Sequence, residues 1–455
     1  VTQHESPGGL NELAEMLLRV ERQNQAVATA NPEDQGKRQR RRRNRRIVGG
    51  VATLVVIALV AGYSYLTLTA PLGVAAVAVS RPDVAVPPAV TIALPTVGEA
   101  AVSVDGADDY LGAKAGGILA SSGNSPLPMA SISKIITALV VLNAKPLGAT
   151  AAGPTITFDK ADAALYDKYY VLNATIAAMP ANSSMSEYDA IETMLVVSAC
   201  NYAEALDDWA FGSVPAAMSA TRTWLRTHSL TGTTMVEPTG LDAGNKSTPS
   251  DLITIGKLAM ANPAIASIVA KKTLDVPSLP SMPNTNDLLG VDGIDGIKTG
   301  TLETAGSDLL FSASATVGTP KALTITGVVL GGENHASVDT TVRDLIASVL
   351  SGFHTVQLGN QGQVVGTYST AWGAKAKMVL DKDASVLTWS NTPVTSTITT
   401  TTLKTGSRGE KVGQVTWVAG KSTVTAPVIL AGRIVAPTAW WRLTHPAQLL
   451  GKWWP

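Results

Sequence analysis

The segment that most limits what this chain can fold into lies near its N-terminus. Residues 37–46 read Lys-Arg-Gln-Arg-Arg-Arg-Arg-Asn-Arg-Arg, and the chain then runs uncharged and mostly apolar from Ile47 through Leu68. More than about 20 such residues can cross a bilayer as a helix. A basic run set directly before a span stays on the cytoplasmic side, so the remainder is expected outside. A cleaved signal peptide is the competing reading, because Ala76-Val77-Ala78 resembles a cleavage site. Against it, the apolar stretch exceeds the roughly 7–15 residues of a signal core, and the charged region before it is long. The expectation is an uncleaved anchor over residues 47–69, with residues 1–46 as a cytoplasmic basic segment. In that segment Leu10, Leu13, Met16, Leu17 and Val20 recur at helical spacing, which predicts one amphipathic helix. Residues 24–36 are polar and predict disorder.

Composition narrows the rest. The 455 residues leave room for two or three domains and for a sizeable core. Lys+Arg and Asp+Glu both number 35, so the formal net charge is zero and gives no case for a nucleic-acid partner. Cys200 is the single cysteine, which rules out an intramolecular disulfide framework. The histidines (His4, His228, His335, His354, His445) are scattered, and none forms a His-Glu-x-x-His or His-x-His arrangement. Neither a metal nor a cofactor is expected. Residues 70–96 are rich in Ala, Val and Pro and predict an extended linker holding a folded domain off the membrane.

Three short patterns then follow in order. Residues 128–142, Pro-Met-Ala-Ser-Ile-Ser-Lys-Ile-Ile-Thr-Ala-Leu-Val-Val-Leu, predict a helix apolar nearly all round, which belongs in a domain core. Ser131 and Lys134 lie three apart near its start and share a face. A desolvated lysine there can act as a base, and a serine at a helix N-terminus has free backbone N–H groups for a developing oxyanion. Alone this is weak, since on the order of one or two Ser-x-x-Lys matches arise by chance in such a chain. In residues 191–206, two helical stretches flank a polar break at Ser198, Ala199, Cys200 and Asn201. Ser198 could relay a proton or simply cap the next helix. Residues 291–301 contain Lys298-Thr299-Gly300-Thr301, whose glycines suggest a strand closely approached by another backbone or a ligand. Lys298 offers a fixed positive charge to a carboxylate. Lys404-Thr405-Gly406 repeats the tripeptide in a turn-like setting and reads as chance.

Ser-x-x-Lys, then Ser-x-Asn, then Lys-Thr-Gly is the signature of penicillin-binding proteins and class A β-lactamases. Over about Val97 to Gly352 the sequence resembles the low-molecular-mass D-alanyl-D-alanine carboxypeptidases. Thr239-Gly240-Leu241-Asp242 and Asn245 to Leu252 are similar to that family's Gly-Leu-Asp stretch. Locally, Thr248, Pro249 and Asp251 read as a helix start. The resemblance implies an α+β fold: a serine β-lactamase/D,D-peptidase-like domain with an antiparallel sheet between helices (97–352). A small all-β domain (353–455) follows it, and an N-terminal transmembrane helix precedes it. It implies Ser131 as nucleophile, Lys134 as base and Ser198 as proton relay. Lys298, Thr299, Gly300 and Thr301 would hold substrate, with the backbone N–H groups of Ser131 and Thr301 as oxyanion hole. Peptidoglycan stem peptides are the implied substrate, β-lactams the implied inhibitors, and the outside of the bacterial cytoplasmic membrane the implied location. One residue departs: the family's second pattern usually ends in Asn, and Cys200 stands there. Cys is a weak donor where an amide would bind substrate; either Cys200 itself or a shifted Asn201 would take that place.

Past residue 353 short alternating stretches (363–368, 376–380, 413–418, 422–430) predict the β-domain. Trp440, Trp441, Trp453 and Trp454 crowd the end, where tryptophans either pack on that domain or seek a membrane interface. Two other functions compete with peptidase activity. A β-lactamase would need an added deacylating carboxylate, for which no Glu-x-x-x-Asn stretch between Ser198 and Lys298 argues. A penicillin-interactive scaffold with little turnover is kept open by Cys200.

Overall fold

The computed structural model describes residues 9–28, 32–114, 116–148, 151–319 and 321–451. At the N-terminus, Gly9–Ala28 is a helix, and a second helix, Pro32–Thr69, runs through the basic residues and the apolar stretch without a break. Residues 24–28 and 32–36 are thus helical rather than disordered; alanine and glutamine favour the conformation, and Pro32 suits a first helical position. Within the second helix Gly36–Thr69 is long and apolar enough to cross a membrane, and its most apolar window has none of its surface buried.

The central body is built on a five-stranded antiparallel sheet. Its order is Ile118–Ser121, Glu99–Asp105, Leu323–Gly332, Gly306–Ala315 and Ile294–Leu302. Alternation along each strand sends neighbouring side chains to opposite faces. Leu310 and Ile297 enter a large apolar cluster with the helices Ser133–Ala144, Glu187–Val196, Cys200–Phe211, Val214–Thr227 and Pro249–Ala261. Leu309 and Phe311 enter the opposite cluster, against Val338, Val342 and Leu345 of the helix His335–Ser351. The strand carrying Lys298 lies at one edge of this sheet, which leaves one side of its backbone available beside the helical body.

A second, all-β unit follows. Its main sheet runs in the order Ala76–Val79, Val364–Ser369, Lys375–Leu380, Ser422–Leu430, Lys411–Ala419 and Val394–Thr400, packed around Trp417, Tyr368, Met378 and Leu358. The first of these strands comes from the segment expected as a free linker. Residues 76–79 pair antiparallel with 366–369, and Ala75 is buried in the β-unit's core. Further along, Val90 N–H donates to Ser390 Oγ at 2.9 Å and Ala93 N–H to Ser348 Oγ at 3.1 Å. The Ala/Val alternation that reads as linker composition is also good strand composition, and only the long-range pairing distinguishes the two.

Trp417 is 1% exposed at the centre of the β-unit. Trp417→Ala is expected to cost that unit about 3–5 kcal/mol. Denaturant unfolding should show an early transition for the β-unit, while the central body stays folded at low denaturant.

Candidate active site

Ser131 lies in a tight 3-10 turn, Ala130–Ile132, and regular helix begins only at Ser133 and ends at Ala144. The helix starts later than its apolar pattern because Leu127 and Pro128 are held in a short pairing with Ser247 and Lys246. Met129 N–H also donates to Asn245 O at 3.0 Å. Ala130 is held at φ 42, a region costly for a residue with a Cβ.

Lys134 has no exposed surface. Its Nζ donates to Ser131 Oγ at 3.0 Å, to Cys200 Sγ at 3.4 Å and to Thr239 O at 2.6 Å. An ammonium has three protons to place, and this pocket supplies three acceptors from three segments of chain. Ser133 points away and accepts from Asn245 Nδ2 at 3.0 Å.

The second segment differs in detail from its sequence reading. The break between helices Glu187–Val196 and Cys200–Phe211 spans residues 197–199, so Cys200 and Asn201 are already helical. Ala199, not Ser198, is the N-cap residue, and no side chain caps that helix. Ser198 is strained at φ 63 and 5% exposed. Cys200 is the residue turned toward Lys134. Asn201 does not replace it: its Nδ2 donates to Ala177 O at 2.8 Å and its Oδ1 accepts from Ala177 N–H at 3.2 Å.

Lys298, Thr299 and Gly300 occupy the edge strand, nearly buried. Lys298 Nζ donates to Thr285 Oγ1 at 3.1 Å and to Thr299 Oγ1 at 3.4 Å, and Thr299 Oγ1 donates to Thr285 Oγ1 at 2.6 Å. Burial, then the nearby charge of Lys134, lowers the Lys298 pKa to about 7; Cys200 acts in the opposite sense. Among the described residues no carboxylate hydrogen-bonds either lysine. The pocket is therefore poised to attract an anion. Thr301 is exposed at the strand's end, where its Oγ1 shares a 2.6 Å hydrogen bond with His335 Nε2. The other Lys-Thr-Gly copy is outside this site: Lys404 and Thr405 are exposed in the β-unit, and Gly406 bridges to Ile434.

Other participants lie in the stretch that resembles the family's Gly-Leu-Asp segment, where sequence assigns them no role at the site, or, like Glu237, carry no signal in sequence. Thr239 and Gly240 form the floor under Ser131. At Gly240, φ is +87 and a Cβ would stand 1.9 Å from Ala130 O, so only glycine fits. Glu237 fixes that loop by accepting from Thr239 N–H at 2.7 Å, Gly240 N–H at 2.6 Å and Asn245 Nδ2 at 3.0 Å. On the other side Gly300 lets the strand approach the turn; a Cβ there would stand 3.0 Å from Met129 O and 3.2 Å from Asp308 Oδ2. Asp308 is cross-strand from Gly300. It is fully buried, with Oδ1 accepting from Gly331 N–H at 2.8 Å and Oδ2 unpartnered. Burial raises its pKa to about 8.

Two tests follow from this packing. Gly240→Ala must displace the Ala130–Ser131 peptide, and a displacement on the order of 1 Å costs about 10²-fold in rate; turnover should fall by that much or more while far-UV circular dichroism stays unchanged. For Asp308, the folded chain keeps a proton that the unfolded chain gives up between its ordinary pKa of 3.8 and about 8, so the site's contribution to stability falls as pH rises across that window. The melting temperature of Asp308→Asn relative to the parent should therefore climb from pH 4 to pH 8, by more than ~1 kcal/mol equivalent. A difference that does not vary with pH would contradict the assignment.

Residues 109–334 match the family model described as D-alanyl-D-alanine carboxypeptidase. No curated protein matches the chain. Solved structures do. Penicillin-binding protein 5 from Haemophilus influenzae is 18% identical, with 79% of this chain and 100% of that one covered at a TM-score of 0.50. The D-alanyl-D-alanine carboxypeptidase DacD from Francisella tularensis is 18% identical, covering 78% and 97% at 0.51. Penicillin binding protein 6B from Escherichia coli is 19% identical, covering 77% and 98% at 0.51. At these identities the structural likeness speaks for the fold alone, while residues 109–334 carry the D-alanyl-D-alanine carboxypeptidase domain that the family model describes.

Proposed function

We propose that this chain removes the terminal D-alanine from peptidoglycan stem peptides through an acyl-enzyme on Ser131, outside the cytoplasmic membrane to which residues 47–69 anchor it. The observation that carries the reading is the 3.0 Å contact of Lys134 Nζ with Ser131 Oγ inside a pocket that also holds Lys298. The organisation that goes with it is a cytoplasmic segment (1–46), the span (47–69), a connection (70–96), the peptidase domain (97–352) and the β-domain (353–455). The positive residues before the span support a cytoplasmic N-terminus.

In its amine form Lys134 takes the proton of Ser131 Oγ, and Oγ attacks the carbonyl carbon between the two D-alanines. The tetrahedral oxyanion sits against the backbone N–H groups of Ser131 and Thr301. As the C–N bond breaks, the departing amine takes a proton relayed through Ser198, and D-alanine leaves. Water attacks the ester carbonyl and gives a proton back through Lys134, restoring Ser131. The substrate's terminal carboxylate is held by Lys298 and Thr299, with Gly300 giving it room along the strand. A β-lactam is attacked in the same way but leaves no departing fragment, so its ester is slow to hydrolyse. Cys200 lies where the resemblance expects an amide, and it favours one second reading: a scaffold that binds stems with little turnover.

Release of D-alanine from a peptide ending in D-Ala-D-Ala decides between these readings. The parent chain should turn over, and Lys134→Ala should lose at least ~10³-fold in kcat/KM. No turnover by the parent together with turnover by Cys200→Asn would favour the scaffold instead. The pH profile tests Lys298 separately. Below about 7 its ammonium is present to bind carboxylate, and above it the charge is lost. The parent's kcat/KM should therefore fall as pH rises through that region, by raised KM rather than lowered kcat. In Lys298→Arg, which stays charged, that fall should move to higher pH.

A further inference from the structure

Beyond the strands of the β-unit, residues 438–450 return to the point where the span ends. Thr438 N-caps a short helix, Ala439–Thr444, by accepting from Trp441 N–H at 3.2 Å, and a second turn, Pro446–Leu450, follows. Arg442 donates from one terminal nitrogen to Leu68 O at 2.9 Å, Ala70 O at 3.0 Å and Thr67 O at 3.4 Å. These are among the carbonyls that a helix C-terminus leaves without partners, and a cation there also suits the helix dipole. Tyr63 OH donates to Leu443 O at 2.5 Å. Of the four terminal tryptophans, Trp453 and Trp454 lie outside the described residues, and the other two are treated differently. Trp441 packs edge-on against Trp372 and stacks on His445, whereas Trp440 is 74% exposed.

The depth of this assembly in a membrane can be reckoned from the span. With Arg46 at the inner boundary, 20 helical residues rise about 30 Å, the thickness of the hydrocarbon core. That places residue 66 at the outer boundary, and the carbonyls held by Arg442 just beyond it. Tyr65 and Leu66 are exposed at the same level, by 69% and 57%. Tryptophan and tyrosine favour that layer, where an aromatic body meets lipid and a polar edge meets water.

We infer that residues 439–450 form a second membrane contact, docked on the end of the span by Arg442 and placing Trp440 in the headgroup–acyl boundary of the outer leaflet. The partner is the lipid surface itself. This inference rests on the span being a membrane anchor. Because the strand Ala76–Val79 enters the β-unit directly after the span, two attachments hold that unit against the leaflet, and the peptidase body is carried in a set orientation instead of swinging on a tether.

The test uses the full chain in liposomes, with an environment-sensitive fluorophore on an introduced cysteine and spin-labelled lipids as quenchers at shallow or deep acyl positions. The chain without an introduced cysteine gives the background from buried Cys200. A label at Trp440→Cys should lose emission to the shallow quencher and little to the deep one. A label at Leu54→Cys, within the span, should be quenched by the deep one, and a label at Lys421→Cys, exposed in the β-unit, by neither. Adding Arg442→Gln should weaken quenching at position 440 and leave that at position 54 intact, with turnover of a soluble peptide unchanged. Quenching at 54 without quenching at 440 would overturn the second contact while keeping the anchor. Absence of quenching at both would overturn the anchor, and the inference with it.

Discussion

A lysine with no exposed surface has to find a partner for each proton it carries, and much of the peptidase domain is arranged around that demand at Lys134. Its three acceptors, Ser131 Oγ, Cys200 Sγ and Thr239 O, come from the 3-10 turn before one helix, the start of another and a distant loop. None is a carboxylate. Each segment is in turn held by its own network. Glu237 and Asn245 tie the Thr239 loop to Ser133 at the start of the helix Ser133–Ala144, and Thr175 O accepts from Cys200 N–H at 2.8 Å.

Bringing these segments together requires backbone contact that side chains would prevent. Gly240 closes over the Ala130–Ser131 peptide, and Gly300 brings the edge strand against Met129 O and the Ala130 side chain. Ala130, next to Ser131, and Ser198, two residues before Cys200, sit at positive φ, a local cost that the surrounding apolar core sustains. The same closeness explains the electrostatics. Lys298 and Lys134 share one dry pocket, which lowers the pKa of Lys298, and Asp308 is buried behind the strand without a cation. A pocket with excess buried positive character gains most when an anionic substrate enters it, which fits recognition of a C-terminal carboxylate.

Sequence disclosed some of this and hid the rest for identifiable reasons. Ser131 and Lys134 are three residues apart, so their meeting follows from local helical geometry. The apolar stretch after Arg46 and the alternating strands beyond residue 353 are likewise local patterns, and both reappear in the structure. Thr239, Glu237, Asn245 and Thr285 are ordinary polar residues whose roles exist only through contacts distant in sequence. Residues 70–96 were legible as extended but not as paired, because a strand and a proline-punctuated linker share their composition. Asn201 was a reasonable substitute for the missing amide until helix phase is considered: one residue along a helix turns the side chain by about 100°, here toward Ala177.

The central claim is that the Lys134 pocket activates Ser131. Intact-protein and peptide masses after incubation with penicillin test it most directly, beside Ser131→Ala. The account expects one adduct of the whole β-lactam, mapping to the peptide that contains Ser131 and absent from the variant. A folded parent chain that takes up no adduct, or an adduct that persists when Ser131 is replaced, would contradict it.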